Sequence, residues 1–193
     1  MRIALCMALL LYQEPPPQEE VARFGTTVVI SGGLRGQIFN IGHNTSHLPN
    51  FDKLKPVGDI YTTSLNIPPQ NFEQGFPGVT SRFEWFAIDY TGRFWIEKPE
   101  TYTFSLLSDD GSRLFIDGKL VVDNDGAHPP QEVLGAVELT KGVHSIRLSY
   151  FQGRRFEVAL VLKFAAPGEK LHIFNTDALK PPPESLENPQ PPR

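Results

Sequence analysis

Apolar and polar positions alternate along most of the chain, which is the pattern of half-buried β-strands. No long stretch repeats apolar residues at the spacing of an amphipathic helix. Many prolines and glycines, 18 and 16 in 193 residues, indicate frequent turns. The clearest alternations place three sets of apolar residues on one face of a strand: Tyr102, Phe104 and Leu106; Ile146, Leu148 and Tyr150; and Val158, Leu160, Leu162 and Phe164.

Short strands separated by turn residues predict an all-β fold, an antiparallel β-sandwich or barrel with short hairpins and one long irregular loop region. Asp117-Gly118 predicts a tight hairpin turn, and Lys141-Gly142 predicts a second pair of strands. Thr91-Gly92 predicts a turn after a strand that ends near Tyr90, and residues 42–69 are expected to be mostly loop. The predicted strands are Thr26–Ser31, Leu34–Ile41, Ser81–Tyr90, Thr101–Ser108, Ser112–Ile116, Lys119–Asp123, Gly135–Thr140, Val143–Phe151 and Phe156–Phe164.

The two ends of the chain differ in composition from its middle. Residues 13–22 and 180–193 are rich in proline, and we expect a linker and a disordered tail around a folded domain at 23–179. Residues 1–12 form a short apolar run after Arg2, typical of a truncated signal peptide. We therefore expect a secreted, cell-surface or periplasmic protein. The alternative is an apolar N-terminus of an intracellular protein.

Charge and cysteine content exclude several classes of function. The formal net charge of −4 gives no basic face for nucleic acid, and no apolar run is long enough to span a membrane. Cys6 is the only cysteine, so the chain can form no internal disulfide. No nucleophile with a base at a catalytic spacing stands out, and we expect a protein that is not an enzyme.

The most distinctive stretch is "SDDGSRLFIDGKLVVDNDG", Ser108 to Gly126, which begins with the adjacent carboxylates of Asp109 and Asp110. Paired carboxylates are the ligands that Ca²⁺ prefers. Asp-Asp-Gly-Ser is also good turn chemistry by itself, because aspartate side chains bond to their own backbone. Residues alone leave both interpretations open.

Three blocks of the sequence resemble the domain first described in anthrax-toxin protective antigen, the PA14 domain. They are "LRGQIFN", the segment from Phe83 to His128 that contains "SDDGSRLFIDG", and "GAVELTKGVHSIRLSYFQGRRFEVALVLKF". The resemblance covers roughly 34–164 and is weakest at 42–78. It implies a β-sandwich module that often binds carbohydrate in secreted enzymes, adhesins and toxins.

The resemblance also implies a site. In the sugar-binding members, the paired aspartates are joined by a cis peptide and hold a Ca²⁺ ion that coordinates sugar hydroxyls. Those positions match Asp109 and Asp110, and Gln152 lies near the place of a further metal ligand. Two more groups are candidates for contact with the glycan: Arg154 and Arg155 in the same later loop, and Asn124 and Asp125 in "DNDG". The arginines would repel a nearby cation.

The sequence therefore predicts a calcium-dependent, lectin-like adhesion module with a glycan partner. Two alternatives stay open: a metal-free structural or protein-interaction module of the same fold, with a protein partner, and a calcium-free lectin that uses the two arginines and an aromatic ring. Four aromatic residues are expected mainly in the core, with sugar stacking as the second interpretation: Trp85, Phe86, Tyr90 and Trp95.

Overall fold

A computed structural model describes residues 33–71, 75–79, 82–154 and 157–181. Eleven strands and one short 3₁₀ turn, Phe51–Lys53, are found in these ranges. The strands are β1 (Leu34–Asn40), β2 (Gly58–Thr62), β3 (Asn66–Asn71), β4 (Phe86–Ile96), β5 (Glu100–Asp109), β6 (Ser112–Ile116), β7 (Lys119–Asn124), β8 (Gln131–Leu139), β9 (Gly142–Gln152), β10 (Glu157–Ala165) and β11 (His172–Ile173).

Two antiparallel sheets pack face to face and confirm the predicted β-sandwich. One sheet has six strands in the order β2-β1-β4-β9-β6-β7, and the other has the order β11-β10-β5-β8. Strand β3 pairs with the first half of β10, on the edge that β11 occupies further along. The sheets do not close into a barrel.

The core lies between the sheets and is rich in aromatic side chains. The three alternations read from the sequence all point into it, and each of their ten residues is buried. Phe86, Tyr150 and Phe76 form a chain of ring contacts with centroids 5.2–6.2 Å apart. Large buried rings each remove much apolar surface from water, so this layer supplies most of the drive for folding.

Two local predictions are wrong. No turn occurs at Thr91-Gly92, because β4 continues from Phe86 to Ile96. A Cβ at Gly92 would lie 2.7 Å from the Leu34 side chain, so this glycine permits close packing within a strand. The region 42–69 is mostly loop, as expected, although β2 and the start of β3 lie within it. The prolines of β3 are tolerated at a sheet edge.

The second correction concerns the strands on either side of Lys141-Gly142. They do not pair with each other, because β8 pairs with β5 and β9 pairs with β4 and β6. Both strands bury apolar side chains between the sheets, and the turn carries the chain from one sheet to the other. The Asp117-Gly118 hairpin is confirmed, with φ values of 49° and 77°. The predicted strand at 26–31 lies outside the described residues.

Several strand ends meet at one end of the sandwich. Strands β5 and β9 finish there at Asp109 and Gln152, and Ser112 of β6 lies opposite Tyr150. Phe86, the first residue of β4, lies opposite Gln152. The loops that join these ends therefore converge, and the paired aspartates lie among them. In the part of the chain that the structure describes, no helix has the length and hydropathy needed to cross a bilayer.

Candidate functional site

The paired aspartates form the turn between β5 and β6. Asp109 is the last residue of β5, and a cis peptide bond joins it to Asp110. Both residues are almost covered, with 7% and 8% of their surfaces exposed. Two adjacent carboxylates therefore lie at the protein surface with little water around them.

The surroundings of the two carboxylates raise their pKa values. Burial and, to a smaller extent, the nearby charges of Asp110 and Glu157 raise the pKa of Asp109 to about 7, whereas His128 opposes the shift. Burial also raises the pKa of Asp110, although hydrogen bonds from the backbone of Gly153 and His128 work against it. Both carboxylates therefore retain their protons to a higher pH than an exposed aspartate does.

Hydrogen bonds distinguish the two carboxylates. The backbone N–H of Gly153 donates to Asp110 Oδ2 at 2.7 Å. Within the described ranges, no hydrogen bond or ion pair reaches the carboxylate of Asp109. Carboxylate oxygens that are nearly covered and lack a protein donor remain able to bind a cation or water.

Tyr150 holds the backbone of this turn in place. Its hydroxyl lies 2.7 Å from the backbone oxygen of Asp109 and 2.5 Å from Gln152 Oε1, and it is fully buried. Ser108 and Ser112, on either side of the turn, contact each other through their hydroxyls at 2.7 Å. The backbone of the turn is therefore fixed by buried polar contacts.

Gly111 is required by close packing. A Cβ at this position would lie 2.6 Å from both the Gly126 backbone nitrogen and the Phe151 ring. The Gly111 carbonyl also accepts the Phe151 N–H at 3.0 Å. A side chain is therefore excluded at this position, because the "DNDG" loop lies directly against the turn.

Asn124 and Asp125 brace this neighbouring loop. The Asn124 amide donates to Ser108 Oγ and to the Gln131 carbonyl, both at 3.0 Å. Asp125 accepts the backbone N–H of Leu48 at 2.7 Å and lies 3.3 Å from an Arg113 nitrogen. Both side chains thus hold loops together beside the aspartates, and the predicted contact of Asn124 and Asp125 with a ligand stays a prediction.

The structure brings Gln152 close to the aspartates but already occupies its side chain. Gln152 is fully buried, its Oε1 contacts the Tyr150 hydroxyl, and its Nε2 donates to the Glu157 carbonyl at 3.2 Å. One lone pair of Oε1 is left for a metal ion. Arg154 is exposed beside Gly153. Arg155 lies outside the described residues.

Two further loops border the aspartates. A Cβ at Gly153 would lie 3.1 Å from Asp110 Oδ2, 3.6 Å from the Trp85 ring and 3.7 Å from the Thr45 carbonyl. The loop before β4 and the loop after β1 therefore both lie beside Gly153, whose backbone N–H donates to the Asp110 carboxylate. Among the four aromatic residues considered above, Phe86 and Tyr90 are buried in the core, whereas Trp85 and Trp95 are partly exposed.

Sequence reasoning missed the residues that surround the carboxylates. Strand alternation places Tyr150 in the core but does not show where its hydroxyl points. Gly153 and His128 act through backbone N–H groups, which carry no side-chain signal. The sequence shows that Trp85 is aromatic, but the ring lies near Asp110 only because loops that are distant in sequence pack together.

The oxygen atoms of the paired aspartates supply part of the coordination that a hard cation requires. Ca²⁺ takes about six to eight oxygen ligands, and the two carboxylates supply the negative charge that it requires once they have lost their protons. Within the described residues, no three His, Cys, Asp or Glu side chains converge as a metal-binding group. Backbone carbonyls, amide oxygens, water or ligand hydroxyls would have to complete the coordination.

Comparisons with known proteins agree with the architecture. Over 150 residues the chain is 25% identical to the anti-sigma-I factor RsgI3 of Acetivibrio thermocellus, a match that covers 77% of this chain and 21% of that protein. The chain thus spans about a fifth of the length of this curated relative.

Two solved structures have the same fold. An anti-sigma factor domain-containing protein matches with a TM-score of 0.61 and 22% identity, over 83% of this chain and 51% of the other. The PA14 sugar-binding domain from an RTX adhesin matches with a TM-score of 0.61 and 18% identity, over 76% of this chain and 96% of that domain.

The family match includes the paired-aspartate turn. The family model described as the PA14 domain matches residues 68–170, which is more than half of the chain and contains strands β4 to β10. The fold, the position of the paired aspartates and this match lead to one conclusion. The chain belongs to the PA14 domain family.

Proposed function

We propose that this protein is a secreted, non-catalytic carbohydrate-binding module in which Asp109 and Asp110 hold Ca²⁺. The observation that carries the proposal is the pair of adjacent, nearly covered carboxylates for which the described side chains supply no cationic partner. A bound Ca²⁺ ion would supply open coordination positions for sugar hydroxyls.

The protein's own residues have three roles in this proposal. Asp109 and Asp110 provide the charged ligands, and Gln152 offers the remaining lone pair of its amide oxygen. Tyr150 fixes the Asp109 backbone, so the two carboxylates are held in place before a ligand arrives. A preorganised site loses less conformational entropy on binding than a mobile loop does.

Charge near the turn favours a neutral, hydroxyl-rich ligand. Glu157 adds negative charge near Asp109, and Arg154 is an exposed residue next to Gly153. Arginine can hydrogen-bond to sugar hydroxyls without neutralising the buried carboxylates. In the proposal, Arg154, Arg155, Asn124 and Asp125 surround the glycan.

The comparisons support the substrate class and the location outside the cell. The RTX adhesin domain is a sugar-binding domain by description, and adhesins act at cell surfaces. The similarity to anti-sigma factors suggests a second part of the proposal. In this proposal, the sugar site is the part of a longer protein that senses the ligand.

The first experiment is a calorimetric titration of the full chain with CaCl₂ after treatment with a chelator. We expect saturable binding with a dissociation constant on the order of 10⁻⁴ to 10⁻³ M, as in other extracellular calcium modules. Asp110→Asn should abolish the heat. Asp59→Asn is the matched control, because Asp59 is an exposed carboxylate on β2 that pairs with Arg35.

A glycan array with calcium or with chelator then identifies the ligand class. Glycan binding that the chelator removes supports the proposal. Glycan binding that survives the chelator and Asp110→Asn favours the calcium-free lectin with Arg154 and Arg155. An absence of both calcium heat and glycan binding would refute the proposal and leave the metal-free structural or protein-interaction module.

A further inference from the structure

The loop before β4 places an aromatic ring beside the paired aspartates. The Trp85 ring and Asp110 Oδ2 lie 3.6 Å and 3.1 Å from the same point, the position that a Cβ of Gly153 would occupy. Because residue 153 is glycine, no Cβ occupies this point, and the ring and the carboxylate both border it. A ligand held at Asp110 would therefore meet the indole.

The backbone of Trp85 is fixed by three hydrogen bonds. Its N–H donates to the Gly153 carbonyl at 3.2 Å, and its carbonyl accepts the Ile41 N–H at 3.0 Å and an Arg82 nitrogen at 3.1 Å. The residue has a φ of 60°, a left-handed conformation that is unusual for a bulky side chain. Tertiary contacts thus determine where this ring lies.

One part of the indole is packed and another is accessible. The ring packs against a small apolar cluster formed by Ile41, Ala87 and Phe151 on the outer side of the six-stranded sheet. Trp85 nevertheless remains partly exposed. A rigid aromatic surface with an accessible part is well suited to binding, since it loses little conformational entropy.

His43 extends this aromatic surface. Its ring meets the Trp85 ring edge-on, with centroids 5.5 Å apart and an interplanar angle of 60°. His43 is exposed, and it belongs to the loop whose Thr45 carbonyl also faces Gly153. We call Trp85 and His43 together the aromatic wall.

We propose that the aromatic wall stacks against the apolar C–H face of a pyranose whose hydroxyls are held at Asp109 and Asp110. This inference rests on the proposed function and adds the residues that determine specificity. Paired carboxylates with a cation recognise hydroxyl groups of many polyols, whereas an indole surface selects those that also present a flat apolar face. The wall therefore favours ring sugars over open-chain polyols.

Tryptophan fluorescence can test the proposal directly. The chain has two tryptophans, and Trp95 lies ten residues further along β4, roughly 33 Å away in an extended strand. Trp95→Phe leaves Trp85 as the only fluorescent indole. The probes are methyl β-D-galactopyranoside, methyl β-D-glucopyranoside and sorbitol, each titrated with CaCl₂ present while calorimetry measures binding independently.

We expect a saturable change in Trp85 emission with the pyranosides and none with sorbitol. Trp85→Ala should weaken pyranoside binding about five- to tenfold, the scale of an aromatic contact, with calcium affinity unchanged. Trp85→Phe should retain part of the binding, and His43→Ala should cause a smaller loss. The reverse control, Trp85→Phe with Trp95 retained, should show no emission change.

The outcomes separate the two proposals. Pyranoside binding in calorimetry without any change in Trp85 emission, and with unchanged affinity in Trp85→Ala, would overturn the aromatic wall alone. Absence of sugar binding by the full chain in calcium would overturn both. If Trp85→Ala does not fold, His43→Ala and the fluorescence of the Trp95→Phe variant still decide the question.

Discussion

Replacing Asp109 by asparagine should stabilise the metal-free protein at neutral pH. The substitution keeps the shape of the side chain but removes one of two adjacent charges that are nearly covered. In the wild-type chain, the pKa of Asp109 rises from 3.8 to about 7, first because of burial and then because of Asp110 and Glu157. The folded protein therefore retains a proton that the unfolded chain has lost.

The direction of the pH dependence follows from this difference. Below about pH 4 both states are protonated, and the group contributes nothing to the free energy of unfolding. As the pH rises towards 7, the folded state becomes less stable relative to the unfolded state, and above 7 the difference is constant. Each pH unit in this window costs about 1.4 kcal/mol, or about 4 kcal/mol in total.

Water reaches the edge of the turn and screens these charges, so we expect about 2 kcal/mol of the total to be realised. Asp109→Asn should thus be about 2 kcal/mol more stable than wild type at pH 8 in chelator. At pH 4 the two proteins should differ by less than about 0.5 kcal/mol. Ionisable groups that do not interact with Asp109 act equally in both proteins and cancel in the comparison.

Urea denaturation at pH 4, 6 and 8 measures this difference, with Asp59→Asn as a control at an exposed carboxylate. Calcium should reverse the order, since a ligand at 100 times its dissociation constant stabilises the wild type by about 2.7 kcal/mol and cannot do so in the variant. If Asp109→Asn were less stable than wild type by the same amount at every pH, burial of charge would not dominate this turn.

Two substitutions test the packing of the site. Gly111→Ala places a Cβ 2.6 Å from the Gly126 backbone, so it should lower the free energy of unfolding, measured in urea, by about 2–3 kcal/mol. The control is Gly42→Ala, which has no atom within 4 Å of the added Cβ and should change the free energy of unfolding by less than about 0.5 kcal/mol. Equal effects of the two substitutions would contradict the steric argument. Tyr150→Phe removes the buried donor to the Asp109 carbonyl, so it should lower the free energy of unfolding by about 1–3 kcal/mol and weaken calcium binding. An unchanged calcium titration would show that this hydroxyl does not order the turn.

Alternation of apolar residues along the chain predicted most of the sandwich. Side chains on a strand point alternately to opposite faces, so the buried faces of β5, β9 and β10 could be read directly from the sequence. The Asp117-Gly118 hairpin was predictable for a similar reason, since both turn residues need positive φ. These features depend on neighbours in the chain.

Pairing between distant strands was not predictable in this way. The turn at Lys141-Gly142 looked like a hairpin, yet it connects the two sheets, because local turn chemistry does not determine which strand lies alongside. Gly92 looked like a turn residue, but the Leu34 side chain occupies the space above it within a continuous strand. Both outcomes depend on contacts across the sandwich.

The candidate site also has some features that depend on local sequence and others that depend on long-range contacts. The sequence by itself determined two adjacent carboxylates in a glycine-containing turn, because their side chains and spacing are local properties of Asp109, Asp110 and Gly111. Only the tertiary structure decided their near-complete burial, the raised pKa values and the ring of Trp85 beside them. These properties arise where loops distant in sequence exclude water from the same few ångströms, and no local pattern encodes that meeting.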